Sequence, residues 1–186
     1  GSLFAYLQAV DRQVGEAVQA TDARVNLALR WQALTQQGVE TALGSVLSSE
    51  EQLIQQLSQK ARGFMAQAAE LQQQIQVQGG DVAGRQGLQA VEQARQDVLT
   101  HYDTAYKARD LGMAWEAQKA VEQDLQPAAV RYVQAQDAFI AHQQAQRAAA
   151  VEAGRQRRAW AEHLALGVAL AMGLVGALLA RALIRS

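Results

Sequence analysis

Residues 164–180, LALGVALAMGLVGALLA, carry no charge, and Arg181 and Arg185 follow them. As a helix, residues 164–184 reach about 31 Å, one bilayer core. The run is apolar on every face, whereas a helix packed in a soluble core needs only one apolar stripe. It therefore predicts a transmembrane helix. Trp160 stands where an interfacial aromatic sits, and Arg181 is placed to reach the opposite headgroups. Lying at the C-terminal end, the run is not a cleaved signal peptide. The sequence reads as a soluble domain plus its exit from a membrane.

Composition restricts the soluble part. With 19% charged residues and a net charge of −1, the balance argues against a nucleic-acid-binding surface. It has no cysteine, hence neither a disulfide framework nor thiolate chemistry. One proline, 5% aromatic residues and an abundance of Ala, Gln and Leu favour long helices over sheets. About 160 residues before the apolar run are enough for one core.

Periodicity divides that part into four helices. The first, from about Leu3 to Leu47, has the seam Leu7, Val10, Val14, Ala17, Thr21, Arg24, Ala28, Trp31, Thr35 and Gly38. The second starts at Ser48-Ser49-Glu50-Glu51, where Ser48 and Glu51 suit a capping box, and its stripe is Leu53, Leu57, Phe64, Leu71 and Ile75. Gln78-Gly79-Gly80-Asp81 breaks the chain. The third carries Leu88, Val91, Arg95, Val98, Tyr102 and Ala105 and ends near Gly112. The fourth begins near Met113, carries Val121, Leu125, Ala128, Tyr132, Ala135, Phe139 and His142, and runs on to Trp160. Pro127 should kink it or mark where its regular part starts. Short connections make neighbours antiparallel. The expected fold is all-α: an up-down-up-down four-helix bundle, followed by a transmembrane helix.

No catalytic constellation is present. His101, His142 and His163 lie far apart, and there is neither an HExxH nor a Gly-rich phosphate loop. The reading is a binding protein rather than an enzyme, with no cofactor and no metal. Two arginines break the seams: Arg24 between Thr21 and Ala28, and Arg95 between Val91 and Val98. A guanidinium in a bundle core is costly unless something anionic pairs with it. An acid from a neighbouring helix would serve, as would an outward-reaching side chain. The third answer is a carboxylate ligand held by the planar fork. Counted down from the distal turns, Arg95 lies about 22 Å deep, level with Arg30 and Trp31; Tyr132 is near 28 Å and Arg24 near 31 Å, with Tyr102 higher. Each aromatic alone reads as core packing. Their common level with Arg95, Arg30 and Arg24 makes Tyr132, Tyr102 and Trp31 candidates with them for binding a small acid with two or three carboxylates.

The segment Glu122-Gln-Asp-Leu-Gln-Pro-Ala-Ala-Val-Arg-Tyr132 and the exit Ala180-Arg-Ala-Leu-Ile-Arg-Ser186 resemble the periplasmic sensor domain of bacterial methyl-accepting chemotaxis receptors and its entry to a HAMP linker. Around Ala23-Arg-Val-Asn-Leu-Ala-Leu-Arg-Trp31 the nearest subgroup senses tricarboxylic-acid-cycle acids such as malate and citrate. The resemblance implies a periplasmic ligand-binding bundle over residues 1–160, a transmembrane helix over 161–184 and the start of a cytoplasmic linker at 185–186. It implies a chemoreceptor in the bacterial inner membrane that binds a small carboxylate and passes the signal to a cytoplasmic region of the same chain. It also implies a homodimer through the first helix, where Gly15, Ala20, Ala23 and Gly38 form a small-residue face. Sensor histidine kinase input domains share this architecture. A membrane-anchored structural bundle with no ligand is the reading from another class.

Overall fold

A computed structural model describes residues 2–185, with side chains over 4–177 and at Arg181. Ser186, the last residue of the expected linker, lies outside them. The described secondary structure is entirely helical: α1 (Ser2–Leu47), α2 (Glu51–Val77), α3 (Val82–Asp110), α4 (Ala114–Ala120), a π-helical turn (Val121–Leu125) and α5 (Gln126–Arg185). Connections fall at residues 48–50, 78–81 and 111–113, where Ser, Gly and Asp interrupt the Ala-, Gln- and Leu-rich runs.

Local chemistry sets the ends. Ser48 does not form the expected capping box with Glu51; its Oγ accepts from the Glu50 N–H at 3.2 Å, and α2 begins one residue further on. Asp81 caps α3, accepting from the Gly84 N–H at 2.8 Å. That carboxylate also meets His142 Nε2 at 2.9 Å, so the histidine is partnered. The end of α3 is a Schellman turn. Gly112 takes φ +74°, its N–H donates to Arg109 O, and the Met113 N–H donates to Ala108 O. A residue with a Cβ would be strained there. Arg109, in the last turn of α3, donates to the Val46 carbonyl at 2.9 Å, serving an acceptor that the end of α1 leaves free.

The described chain divides into two compact units. One is Thr21–Ala145; the other combines the residues up to Ala20 with those from Gln146. In the first unit every helical segment contributes to one apolar core: Ala28, Trp31 and Val39 from α1, Ala68, Leu71 and Ile75 from α2, Val91 and Val98 from α3, Val121 and Leu125 from the π turn, and Tyr132 and Phe139 from α5. The α2 seam follows its expected course at Leu71 and Ile75 and departs from it earlier: Ile54, Ser58, Ala61 and Ala68 turn inward, with Gln72 beside Leu71, while Leu53 is exposed. Small residues let the helices approach: a Cβ on Gly38 would lie 2.8 Å from Met65 Sδ. Gly38 is thus buried against α2 and takes no part in an outer face, unlike the exposed Gly15, Ala20 and Ala23.

In the fourth helix the buried row is Ala117, Val121, Leu125 and Ala129, each at most 6% exposed. Steps of four would carry this row about 120° around a regular α-helix. The π turn takes up the extra residue: the Gln126 N–H donates to Val121 O, five residues back. Pro127, without an N–H, follows at once, and α5 is regular from there.

In the second unit α1 packs on α5 at a close crossing, where a Cβ on Gly154 would lie 2.5 Å from Val14 Cγ1. Arg158 Nε donates to Asp11 Oδ1 at 2.9 Å. Val18, not the expected Ala17, takes the inward place on α1. Further along α5, Leu166, Leu170, Met172 and Leu174 are at least 62% exposed. Among the described residues this is one helix long and apolar enough to cross a membrane, and its most apolar window is 0% buried.

Candidate functional site

A polar layer interrupts the core of the Thr21–Ala145 unit. Thr35 on α1, fully buried, accepts from Gln136 Nε2 on α5 at 2.8 Å. Tyr132, one turn before Gln136 and 1% exposed, lies against Thr35 and within electrostatic reach of Arg95 and Glu92 on α3. Gln72 on α2 donates to Glu92 Oε2 at 2.8 Å. All four long helices thus place a polar group in one zone. Trp31, one turn before Thr35, closes it on α1; its ring meets Phe139 edge-on, with centroids 6.0 Å apart.

The electrostatics follow from this arrangement. Burial alone would raise the Glu92 carboxyl. Hydrogen bonds from Gln96, Arg95 and Gln72, with the charge of Arg95, outweigh it and hold the group below the usual carboxylate range. Burial pushes the Tyr132 hydroxyl upward; Thr35 and Arg95 oppose this in part and Glu92 adds to it. Arg95 is bound side-on by its own helix neighbour, Nε to Glu92 Oε2 at 3.1 Å and Nη2 to Oε1 at 3.3 Å. Its Nη1 edge is outside that pair, and its side chain is 25% exposed. Arg95 therefore keeps a route to water from its seam position, the outward reach that a long stem allows, and its acidic partner comes from its own helix.

Among the described residues, three polar atoms in this zone are buried without a partner: Trp31 Nε1, Gln72 Oε1 and Gln136 Oε1. Leaving a buried donor or acceptor unpaired costs about 1–3 kcal/mol, so such atoms mark places that water or a ligand completes. They are one donor and two acceptors.

Of the six residues singled out in the sequence, Arg95, Tyr132 and Trp31 converge on the layer. Tyr102 does not. It lies seven residues beyond Arg95 on α3, and its hydroxyl meets Ser45 Oγ at 3.1 Å and Ser58 Oγ at 3.3 Å. Arg30 is exposed and Arg24 only half-buried, with Val25 buried in its place. The sequence reading missed Gln72, Glu92 and Gln136. The two glutamines sit at inward positions, as Arg95 was taken to do, and in a Gln-rich chain they pass for surface residues.

The chain matches no protein-family model, and no curated protein matches it.

Proposed function

We propose that this chain is the ligand-binding part of a transmembrane chemoreceptor: an up-down-up-down four-helix bundle in the periplasm whose last helix crosses the inner membrane. Cross-helix pairs support the topology. Trp31 meets Phe139, Gln32 meets Asp137 and Thr35 meets Gln136, so α5 numbers fall as α1 numbers rise. Gln72 with Glu92 and Ser58 with Tyr102 run in opposite order likewise. The exposed apolar stretch of α5 supports the crossing, because a lipid core would cover what the protein leaves bare.

One observation carries the ligand reading: among the described residues, three buried polar atoms of the layer to which Arg95 belongs have no partner. A hydroxy acid with two or three carboxylates, such as malate or citrate, supplies the missing partners. Its carboxylates suit the guanidinium of Arg95, and its carboxylate and hydroxyl groups match in kind the donor and the two acceptors that lack partners. Binding would favour one of two bundle arrangements, and α5 would carry the change onward. The receptor would act as a homodimer, with its output in a cytoplasmic region of the same chain.

The test is calorimetric titration of the full chain in lipid nanodiscs with malate and citrate. One of the two is expected to bind, and Arg95→Ala should weaken it at least about tenfold, the loss of one charge-assisted contact. No heat with either acid would mean that water completes the layer and that the bundle is a structural anchor.

A further inference from the structure

The unit that combines the two ends of the chain holds an open groove of about 510 Å³ between α1 and α5, within the roughly 300–1,000 Å³ of ligand clefts. Tyr6, Val10 and Gln13 of α1 form one wall; Gln156, Arg157 and Trp160 of α5 stand in the other. The lining is part apolar and part polar. Tyr6 and Trp160 are 57% and 63% exposed, so two large rings are left bare there. The cations of this stretch differ in their surroundings. Arg158 is tied to Asp11 on α1, and Arg155 to Glu152 on its own helix. Arg157 has no hydrogen-bond or ion-pair partner among the described residues. The groove is also continuous with the apolar run. At 100° per residue, Arg157, Trp160, Leu164, Val168 and Ala171 share one side of α5. Glu162, two residues beyond Trp160, falls on the opposite side. Arg157 precedes Leu164 by about 10 Å along the axis. A headgroup layer is about 5–8 Å deep on each side of the hydrocarbon, and a bent arginine stem covers the difference.

We propose that this groove binds an anionic phospholipid of the phosphatidylglycerol type. Its phosphate sits on Arg157, its glycerol head lies between Gln13 and Gln156, its ester region lies at Tyr6 and Trp160, and one acyl chain follows Leu164 and Val168. The order along α5, a cation, then a ring, then an apolar track, is the order of a phospholipid from head to tail. Charge selects the phosphate, because a guanidinium without a protein partner suits it in a two-point contact. A zwitterionic head fits less well: its own ammonium stands near that phosphate and competes with Arg157. The glutamine amides both donate and accept, which suits the hydroxyls that a glycerol head offers and a choline head lacks. The two rings take the border between the polar and apolar layers, where Tyr and Trp are favoured. The inference rests on the reading of α5 as a membrane-crossing helix; it makes no use of Arg95 or of the polar layer.

The test is fluorescence quenching of Trp160 by brominated lipid, with the full chain in phosphatidylcholine nanodiscs that hold a small fraction of the brominated species. The quenching that Trp160→Phe removes is the part that belongs to Trp160. Brominated phosphatidylglycerol is expected to quench it about three- to fivefold more effectively than brominated phosphatidylcholine at equal mole fraction, the ratio that one partly exposed charge contact provides. Arg157→Gln should abolish this preference. Arg155→Gln removes the same charge from the side of α5 away from the groove and should leave the preference in place. Its loss in both variants would mean diffuse attraction to basic residues and would overturn the site. Equal quenching by the two lipids in the unaltered chain would overturn it as well, with bulk lipid or a second copy covering the groove and α5 still in the membrane. No quenching of Trp160 by either lipid would remove the membrane crossing and the proposal with it. Glycerol 1-phosphate in solution should not displace the brominated phosphatidylglycerol, since it has no chain to lie on the apolar track. Displacement would assign the groove to a free phosphate ester and overturn the lipid.

Discussion

Tyr132 titrates late because its phenol is buried where a negative charge has little solvation. Its folded pKa lies above the unfolded value of about 10, so the neutral form is favoured on folding. The resulting stability is complete below pH 10 and lost as pH rises through the folded value. Alkaline titration at the tyrosinate absorbance should show a late step that Tyr132→Phe removes; an unchanged curve in the variant would contradict the buried position. Glu92 behaves in the opposite sense. Its lowered pKa adds stability that is present above about pH 4.5 and fades as pH falls below it. Since the Arg95–Glu92 pair is 25% and 39% exposed, its loss should cost little, about 0.3–0.5 kcal/mol. Arg95→Ala therefore tests ligand binding without unfolding the bundle. At this scale the sequence was half legible. Tyr132 and Trp31 are large, periodic residues and their burial follows from the pattern. Whether Arg95 is buried depends on the reach of its stem, and the inward glutamines carry no hydrophobic signal.

Helix ends were easier to read than helix faces. Glycines at the turns and the Ser and Asp residues beside them placed the connections within a few residues, because backbone conformation and capping are local matters. The α2 face was read correctly at Leu71 and Ile75 but missed in its first half, where the inward row of Ile54, Ser58 and Ala61 is mostly small or polar and Leu53 lies exposed. Close contact through small residues also governs the α1–α5 crossing, where the stiff Val14 occupies the space a Cβ on Gly154 would need. Gly154→Ala should destabilise the chain by about 1–3 kcal/mol through overpacking. Adding Val14→Ala should recover most of that loss, since the offending methyl is gone. Thermal melting of the two single variants and the double variant measures the coupling, and strictly additive effects would refute the contact.

For the whole molecule, the sequence conveyed helix number, order and the apolar run, all of which rest on long periodic stretches where many residues vote together. It conveyed less about phase between distant parts of one helix, because a single extra residue resets it. The π turn at Val121–Leu125 is such a reset. In hereditary terms, a one-codon insertion in a helix that had to keep its inward row would produce such a turn. The reading frame of faces from Gln126 onward is kept by widening one turn instead of rotating everything downstream. Deleting the exposed Gln123 should therefore be borne better than deleting a residue from the regular stretch after Pro127, such as the exposed Gln134. Helix content and cooperative melting should persist in the first deletion and collapse in the second. The widened turn is a place where the coding sequence can lose a codon and leave every inward face in register.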